Sequence, residues 1–336
     1  LAFRVGAVDV PKDSRRMHDH PIPRMGGLAI FFGFILSALI YVEITPQFQG
    51  MMLGAVIIVV LGIFDDIYAL GAKFKLLVQI AAALVAVHFG NVIQIISNPN
   101  VLSPNPYWDL GWLAVPATVL WIVAITNAVN LIDGLDGLAC GVSTISSMTM
   151  LVISLAVADG PVAVIMAALA GGWIGFLPYN LNPAKIFMGD TGSTFLGFVL
   201  AVMSIQGLFK FYTIISFAVP FLMLGLPIFD TCFAFIRRIA HGQSPMHPDR
   251  SHVHHRLIDM GLNQKQAVAT LYVISAILGL SAVVLTTGGE LKAMLLLLAL
   301  CAAGAVSGRI FLSNNEKRRS EDKAESPDTA DKGEER

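Results

Sequence analysis

Ten apolar runs, each long enough or nearly long enough to cross a lipid bilayer, dominate this sequence. A membrane-spanning helix needs about 17 to 25 mostly apolar residues. The runs cover residues 26–43, 50–64, 75–89, 110–130, 138–158, 161–178, 192–209, 213–236, 267–287 and 291–312. Because 55% of the residues are hydrophobic and only 13% are charged, the composition also favours lipid over water. The sequence therefore predicts an all-α polytopic membrane protein with ten transmembrane helices.

The segments between and beyond the runs predict loops and termini. Residues 90–109 are interrupted by Asn and Pro and predict an ordered loop or a re-entrant segment. Residues 1–312 predict one integral membrane domain, whereas 313–336 lacks large apolar residues and predicts a disordered, charged cytoplasmic tail. No basic-then-apolar leader follows Leu1, so we expect no signal peptide. Because the chain starts at Leu1 and not at Met, we also expect that an upstream segment is missing from it. The cysteines lie inside apolar runs without Cys-x-x-Cys spacing, which favours packing roles over disulfides or a thiolate metal site. They are Cys140, Cys232 and Cys301.

Lysine and arginine give the orientation of the predicted helices. If ten helices cross the membrane, their connecting loops alternate between its two sides. All of the 22 Lys and Arg residues except Lys210 and Lys292 then fall on one side. The positive-inside rule makes that side cytoplasmic. Four polar clusters interrupt the apolar background, and all four lie on this same side, which predicts a cytoplasmic active site.

The first polar cluster is a pair of adjacent carboxylates, Asp65 and Asp66, at the end of the second run. An ionised Asp at the bilayer centre costs about 2.5 to 3.5 kcal/mol on insertion scales, so both side chains are expected at the interface or against a wet cavity. A charged helix end is the alternative. It is disfavoured because the C-terminus of a helix repels anions.

The second cluster ends the fourth run with polar residues at three-residue spacing. At 3.6 residues per turn, the first three can share one helix face, and Gly134 is expected to break the helix before the fourth. Amide and carboxylate oxygens are hard ligands that suit Mg²⁺. An Asn- and Gly-rich turn is the alternative. The residues are Asn127, Asn130, Asp133 and Asp136.

The third cluster runs from Tyr179 to Ser193 and leads into the seventh run. Gly and Ser at a helix start expose backbone N–H groups to an anion, and Asp190 offers a second carboxylate for a metal. An ordinary helix N-cap is the alternative. Lysines on the same side of the membrane are candidates for binding phosphate: Lys73, Lys75 and Lys185.

The fourth cluster is a loop rich in His and Arg that follows the eighth run. Interleaved Arg and His suit phosphate and sugar oxygens. Zinc and a solvated basic loop are the alternatives, and zinc is disfavoured because no cysteine or acidic ligand completes the usual spacing. Asp230, inside the eighth run, is a functional candidate or the partner of a nearby basic residue. The loop contains His241, His247, Asp249, Arg250, His252, His254, His255 and Arg256.

In this order the clusters resemble the polyprenyl-phosphate N-acetylhexosamine-1-phosphate transferases. The resemblance covers nearly the whole chain and includes four longer motifs besides Asp65-Asp66. They are Pro23-Arg-Met-Gly26-Gly27, Asn127 to Gly137, Phe187 to Ser193, and Asp249-Arg-Ser-His252-Val-His254-His255-Arg256. Members have eleven transmembrane helices, so the resemblance implies that this chain lacks the first.

The resemblance also implies roles for individual residues. Asp133 and Asp190, with Asn130 close by, would hold Mg²⁺, with Mn²⁺ as an alternative. Asp65 and Asp66 would act on the acceptor phosphate. Other positions would bind the donor. The uridine pocket would be lined by Asp136, Asn180 and Phe187. The sugar or nucleotide would be bound by Asn127, His252, His254, His255 and Arg256.

The implied reaction transfers GlcNAc-1-phosphate from UDP-GlcNAc to undecaprenyl phosphate and releases UMP. Such a step begins a cell-envelope glycopolymer, such as wall teichoic acid or O-antigen, in the bacterial cell membrane. We expect direct in-line attack rather than an aspartyl-phosphate intermediate. The related phospho-MurNAc-pentapeptide transferases carry a Pro-x-His-His-His run that this sequence lacks, and they remain the alternative. A transporter is a second alternative, although transport sites lie near the membrane midplane. The expected partners are the two substrates, the lipid bilayer and a second copy of the chain in a homodimer, but not nucleic acid.

Overall fold

The computed structural model describes residues 2–10, 20–98, 105, 107–157, 159–207, 218–240, 242, 252–287, 292 and 298. Helices dominate this part of the chain, which confirms the predicted all-α membrane architecture. They are α1 (Ala2–Val5), α2 (Gly27–Tyr41), α3 (Pro46–Tyr68), α4 (Ala72–His88), α5 (Ala114–Leu131), α6 (Leu138–Ala156), α7 (Gly160–Asn180), α8 (Gly189–Gly207), α9 (Ala218–Met223), α10 (Gly225–Ala240), α11 (Val253–Asp259) and α12 (Gln264–Thr286). The predicted tail, most of the tenth run, His241, His247, Asp249 and Arg250 lie outside the described residues.

Five described helices are long and apolar enough to cross a membrane. They are Pro46–Tyr68, Gly111–Leu131 with its opening 3-10 turn, Leu138–Ala156, Gly160–Asn180 and Gln264–Thr286. Apolar side chains on their outer faces, such as Leu53 and Leu120, stay exposed in the isolated chain. This pattern is typical of helices whose outer face contacts lipid rather than water.

Helix α8 forms the centre of the bundle. Every residue from Thr191 to Ile205 is buried, and the helix packs against α2, α3, α5 and α6. A helix that is apolar on all sides belongs inside a helical bundle. Its first turn carries Asp190 and lies at the same end of the bundle as the last turn of α3 and the end of α5.

Two glycines let α8 approach its neighbours closely. A Cβ on Gly62 of α3 would overlap the backbone of Thr191, and a Cβ on Gly27 of α2 would overlap the backbone of Gly192. Only a residue without a side chain fits between backbones at such distances. The start of α8 is therefore held between α2 and α3.

The eighth predicted run is not one helix. It is broken at Leu224 into α9 and α10, and residues 213–217 lie outside the described part. Pro227 has no N–H to donate to the Met223 carbonyl, so the helix is interrupted there. The Ser146 hydroxyl donates to this carbonyl instead, at 2.9 Å. The sequence prediction followed hydropathy and did not include this break at the proline.

Short strands form two antiparallel hairpins in the described residues. Strand β1 (Val8–Asp9) pairs with β2 (Ile22–Pro23), with Val8 opposite Pro23 and Asp9 opposite Ile22. Strand β3 (Ile95–Ser97) pairs with β4 (Tyr107–Asp109) inside the segment 90–109, of which residues 99–104 and 106 lie outside the described part. The first hairpin lies beside the site described next.

Candidate active site

A cavity of about 300 Å³ opens at the end of the bundle where α8 begins. Its wall combines residues from the first hairpin, the end of α3, the segment after α5, the segment between α7 and α8, and the starts of α11 and α12. They are Asp9, Arg24, Asp66, Asn130, Asp133, Gly134, Leu135, Asp136, Asn180, Phe187, Gly189, Asp190, His255 and Gln264. Residues from all four sequence clusters thus meet in one place.

Asp66 closes the start of α8. Its Oδ1 accepts the Asp190 backbone N–H at 2.9 Å, and its Oδ2 accepts the Thr191 backbone N–H at 3.1 Å and hydroxyl at 2.6 Å. The first N–H groups of a helix have no partner inside the helix, and a carboxylate is well suited to satisfy them. Asp66 is therefore an N-terminal cap supplied from another helix, in addition to lining the cavity.

Asp65 and Asp190 share one cation. Lys75 Nζ lies 2.7 Å from Asp65 Oδ2 and 3.0 Å from Asp190 Oδ2. The other oxygen of Asp190 accepts from Asn130 Nδ2 at 3.2 Å, and this amide also donates to Ser193 Oγ at 2.9 Å. Three helices are thereby joined through charged groups, and Asp190 is held between Lys75 and Asn130.

Asp133 lies in the segment after α5, among carboxylates. Desolvation, together with the negative charges of Asp190 and Asp66, raises the pKa of Asp133 to about 7. Arg24 acts in the opposite direction but does not compensate. Burial is the main cause of this raised pKa, and the neighbouring carboxylates add to it.

The donor set of the cavity suits a divalent cation. Asp66, Asp133, Asp136 and Asp190 all line it. Within the described residues, no group of three or more His, Cys, Asp or Glu side chains forms a complete metal cage. Mg²⁺ does not need one, because it commonly takes one or two carboxylates together with water and substrate phosphates. The carboxylates of Asp133 and Asp190 and the excess negative charge therefore fit Mg²⁺.

One side of the cavity is a polar wall at the end of α7. Asp136 Oδ2 accepts from Asn182 Nδ2 at 2.9 Å and from the Ala184 backbone N–H at 3.0 Å. Asn182 also donates to Gln264 Oε1 at 2.8 Å. Asn180 donates to the Ile186 carbonyl at 3.1 Å, while its buried Oδ1 has no hydrogen-bond partner among the residues that the structure describes. A buried acceptor without a partner is costly, so this oxygen is suited to a ligand donor.

The backbone of Phe187 fastens this wall to the first hairpin. Its N–H donates to the Pro23 carbonyl at 2.9 Å, and its carbonyl accepts the Gly26 N–H at 2.9 Å. Arg24 follows Pro23 and lies against the cavity, with its Nη2 2.8 Å from Asp9 Oδ1. The motif Pro23 to Gly27 therefore orients an arginine toward the carboxylate cluster.

The start of α11 forms the remaining wall. His255 lines the cavity, whereas His252 and His254 are buried behind it. The pKa of His254 is lowered to about 3 by burial and by the neighbouring His255, so its imidazole is neutral. His252 Nδ1 lies 2.9 Å from Asp230 Oδ2, so the carboxylate of Asp230 has a histidine as its partner.

Several predicted residues lie away from the main cavity. Asn127 lies in an adjoining cleft of about 20 Å³, where its Nδ2 donates to Gln79 Oε1 at 2.6 Å. Arg256 lies over the Phe233 ring, with its guanidinium carbon 4.9 Å from the ring centre. Lys73 and Lys185 are exposed and line neither space. Of the three candidate lysines, the structure brings only Lys75 to the carboxylates.

Sequence reasoning assigned no role to Asp9, Arg24, Gln79 or Gln264. Arg24 stands inside the motif Pro23 to Gly27, on the predicted cytoplasmic side, so its charge was an available signal. Gln264 begins an apolar helix, and its contact with Asn182 depends on tertiary packing. No local pattern in the sequence indicates this contact between Gln264 and Asn182.

An apolar groove of about 360 Å³ runs along the other side of α5. Ala117, Trp121, Ala124 and Ala128 line it from one helical face, and Phe221 and Ile228 face them. Ala117 to Ala128 spans about 16 Å at 1.5 Å per residue. Asn130, which contacts Asp190, follows two residues after Ala128. The groove and the carboxylate cluster thus lie along the same helix, and they share no lining residue.

Comparisons with known proteins give the family of this chain. Residues 48–208 match Glycosyl transferase family 4. A protein of Bacillus subtilis (strain 168), named "Probable undecaprenyl-phosphate N-acetylglucosaminyl 1-phosphate transferase", is 47% identical over 290 residues, which are 85% of this chain and 79% of that protein. The chain belongs to glycosyl transferase family 4.

Two further relatives of this family 4 chain differ in the substrate that their names state. "Decaprenyl-phosphate N-acetylglucosaminephosphotransferase" of Mycolicibacterium smegmatis is 33% identical over 316 residues, 84% of this chain and 76% of the relative. "Phospho-N-acetylmuramoyl-pentapeptide-transferase" of Caldicellulosiruptor bescii is 39% identical over 194 residues, 54% of this chain and 60% of the relative. The family 4 match at 48–208 includes Asp65, Asp66, Asp133, Asp136, Asp190 and Lys75, whereas Asp9, Arg24 and α11 lie outside it.

Proposed function

We propose that this chain transfers GlcNAc-1-phosphate from UDP-GlcNAc to a polyprenyl phosphate, with undecaprenyl phosphate as the acceptor. The products are polyprenyl-diphospho-GlcNAc and UMP, and the reaction starts a cell-envelope glycopolymer. The carrying observation is an acidic cavity at the end of α5, a helix that also lines an apolar groove with residues such as Ala117 and Ala128. The names of the Bacillus subtilis and Mycolicibacterium smegmatis relatives state the same type of transfer.

The apolar groove supports a lipid acceptor. Its lining is almost free of polar atoms, which suits an isoprenoid chain and excludes the nucleotide. An isoprenoid chain in the groove would bring its phosphate to the end of α5, near Asn130 and Lys75. The lipid and the water-soluble donor would then meet at the boundary between membrane and water.

Mg²⁺ is the proposed cofactor, and Mn²⁺ is a plausible substitute. Asp133 and Asp190 would hold it, with Asn130 keeping Asp190 in place. When bound, the ion would neutralise the diphosphate of the donor and polarise its phosphoryl oxygens. Arg24 and Lys75 would neutralise phosphate charge from the two sides of the carboxylate cluster.

The transfer itself is a displacement at phosphorus. An oxygen of the acceptor phosphate forms a bond to the β-phosphorus of UDP-GlcNAc, and the bond from that phosphorus to the bridging oxygen breaks. UMP leaves with the bridging oxygen. A deprotonated acceptor phosphate can attack without a further proton transfer. In this direct in-line attack, the phosphorus is never bonded to the enzyme.

Asp65 and Asp66 remain the proposed catalytic pair, with a division of labour that the hydrogen bonds favour. Asp66 already accepts three hydrogen bonds from α8, so it would mainly position Asp190. Asp65 orients Lys75, which can bind the acceptor phosphate. Either carboxylate could still accept a proton from an incoming monoanionic phosphate.

The wall formed by α7 and α11 would bind the donor. Asn180 Oδ1 can accept a uracil N–H, the Phe187 ring can stack on the base, and Asp136 stiffens the segment between them. His255 would contact the sugar or its phosphate. His252 and His254 would act through the placement of α11, and Arg256, Asn127, Lys73 and Lys185 would contribute indirectly.

The apolar helices and the distribution of charge support a location and an orientation for the active site. The apolar helices make this a multi-pass membrane protein. The one-sided distribution of Lys and Arg supports a cytoplasmic active site in the bacterial cell membrane. A nucleotide sugar is a cytoplasmic metabolite, which fits this orientation.

The Caldicellulosiruptor bescii relative makes phospho-MurNAc-pentapeptide transfer the second candidate. Purified protein in lipid should be given undecaprenyl phosphate and, separately, UDP-GlcNAc, UDP-GalNAc or UDP-MurNAc-pentapeptide, each with a labelled sugar. We expect label in the lipid and UMP in the water phase for UDP-GlcNAc. Preferred use of UDP-MurNAc-pentapeptide would establish the second candidate. Uptake of the donor into vesicles without a lipid product would indicate a transporter.

A further inference from the structure

A buried carboxylate and a buried imidazole join α10 to the start of α11. Asp230 Oδ2 lies 2.9 Å from His252 Nδ1, and Asp230 Oδ1 accepts the Val253 backbone N–H at 2.7 Å. Asp230 is 2% exposed and His252 is 6% exposed. Both carboxylate oxygens are thus used to fix one point, the first residue of α11 and its N-cap.

The contact with His252 continues through the other histidines of α11. The His252 and His254 rings are parallel, with centres 5.8 Å apart, and the centres of His254 and His255 are 4.3 Å apart. His254 Nε2 packs so closely against Gly134 that no Cβ fits there. The segment that carries Asp133 and the helix that carries His255 are therefore in direct contact.

This arrangement separates α11 into a supporting side and a cavity side. His252 and His254 are buried behind the wall, and His255 alone of the three reaches the cavity. A seven-residue helix has too few internal hydrogen bonds to hold itself in place. Its position must come from tertiary contacts, and the contact with Asp230 is a charge-assisted one.

We infer that Asp230 is a positioning residue for donor binding. Through His252 it sets the position of α11, which brings His255 to the cavity and supports the Asp133 segment at Gly134. His252 acts as the N–H donor that Asp230 holds and does not itself contact substrate. This inference rests on the proposed function, because donor binding is the property that it assigns to Asp230.

Two substitutions of His252 separate this role from direct contact with substrate. An asparagine amide can reproduce the Nδ1–H donor but not Nε2, so His252→Asn should still donate to Asp230, whereas His252→Ala cannot. When a residue acts by orienting the residues that bind a ligand, loss of its contact typically lowers affinity or activity by about 10- to 100-fold. We expect His252→Ala and Asp230→Ala to raise the KM for UDP-GlcNAc by at least about tenfold. We expect His252→Asn to stay within about threefold and the KM for undecaprenyl phosphate to change little in any variant.

The control is Asp259→Asn, an exposed carboxylate at the other end of α11, which should leave both KM values unchanged. Melting temperatures identify variants that fail to fold, and the His252→Asn and His252→Ala pair keeps the test valid if Asp230→Ala is one of them.

Equal losses in His252→Asn and His252→Ala would overturn the inference in favour of direct substrate contact. Unchanged donor KM values in Asp230→Ala and His252→Ala would overturn it as well. Wild-type protein that forms no lipid product would refute the proposed function and this inference together, whereas an active wild type isolates the inference.

Discussion

Asp66 accepts two hydrogen bonds from Thr191, one from the backbone N–H at 3.1 Å and one from the side-chain hydroxyl at 2.6 Å. The two residues lie on different helices, so the contact ties the end of α3 to the start of α8. Asp190, which precedes Thr191, gives its own N–H to the same carboxylate. The geometry of the proposed metal carboxylate therefore depends on Asp66.

The first prediction concerns Asp66→Asn. An asparagine places an NH₂ group against donors that now face an oxygen, so at least one hydrogen bond to the charged carboxylate is lost. Such bonds contribute about 1.5 to 3 kcal/mol each. We expect a lower melting temperature and a loss of turnover of at least about tenfold. Thr191→Val, which removes only the hydroxyl, should show a smaller change in both. Full turnover of correctly folded Asp66→Asn would contradict the proposed role.

The second prediction compares two lysines on α4. Lys75 lies between Asp65 and Asp190, whereas Lys73 is exposed. Lys75→Met leaves two neighbouring carboxylates without their cation, so we expect turnover to fall by about 100-fold or more. Lys73→Met should stay within about twofold, because an exposed charge contributes little. Equal effects of the two substitutions on initial rates would show that Lys75 acts only through general surface charge.

The third prediction concerns pH and Mg²⁺. The pKa of Asp133 is raised to about 7, so below that pH a proton competes with the ion for this carboxylate. The Mg²⁺ concentration for half-maximal rate should fall as pH rises from 6 to 7 and level off above about 8. With one competing proton, the change approaches about tenfold per pH unit on the acidic side. A requirement for Mg²⁺ that stays constant over this range would show that Asp133 does not bind the ion.

The fourth prediction concerns helix packing. Gly62→Ala places a Cβ into the backbone of Thr191, and overpacking of this kind costs about 1 to 3 kcal/mol. We expect a lower melting temperature together with reduced turnover, because the start of α8 must shift. Gly33→Ala is the matched control, since a Cβ there meets no atom within 4 Å. Indistinguishable melting temperatures of the two variants would contradict the close approach of α3 and α8.

Much of the fold could be predicted because hydropathy reflects the lipid environment directly. Runs such as 138–158 and 161–178 correspond to single helices, α6 and α7, since each must satisfy its backbone hydrogen bonds internally. The break at Leu224 was missed because the apolar pattern continues across it. Only Pro227 indicates the break, and the Ser146 hydroxyl that stabilises it comes from a distant part of the chain.

The candidate site could be predicted in composition but not in its internal contacts. Carboxylates are rare in apolar chains, so Asp133 and Asp190 could be recognised as candidates from the sequence. The Asp66 cap on α8, by contrast, joins residues that are 125 positions apart. Arg24 is comparable, since its orientation depends on backbone hydrogen bonds between Pro23, Gly26 and Phe187. Spacing along the chain carries no information about such pairings.

The central claim is transfer of a phosphosugar, and the fate of one phosphorus atom tests it most directly. UDP-GlcNAc labelled with ³²P at the β-position should be incubated with the purified chain, undecaprenyl phosphate and Mg²⁺, followed by separation of lipid and water phases. We expect the ³²P in the lipid product, with an equal amount of unlabelled UMP in water. Label that stays in water-soluble UDP while GlcNAc moves to lipid, or the absence of any lipid product, would contradict the claim.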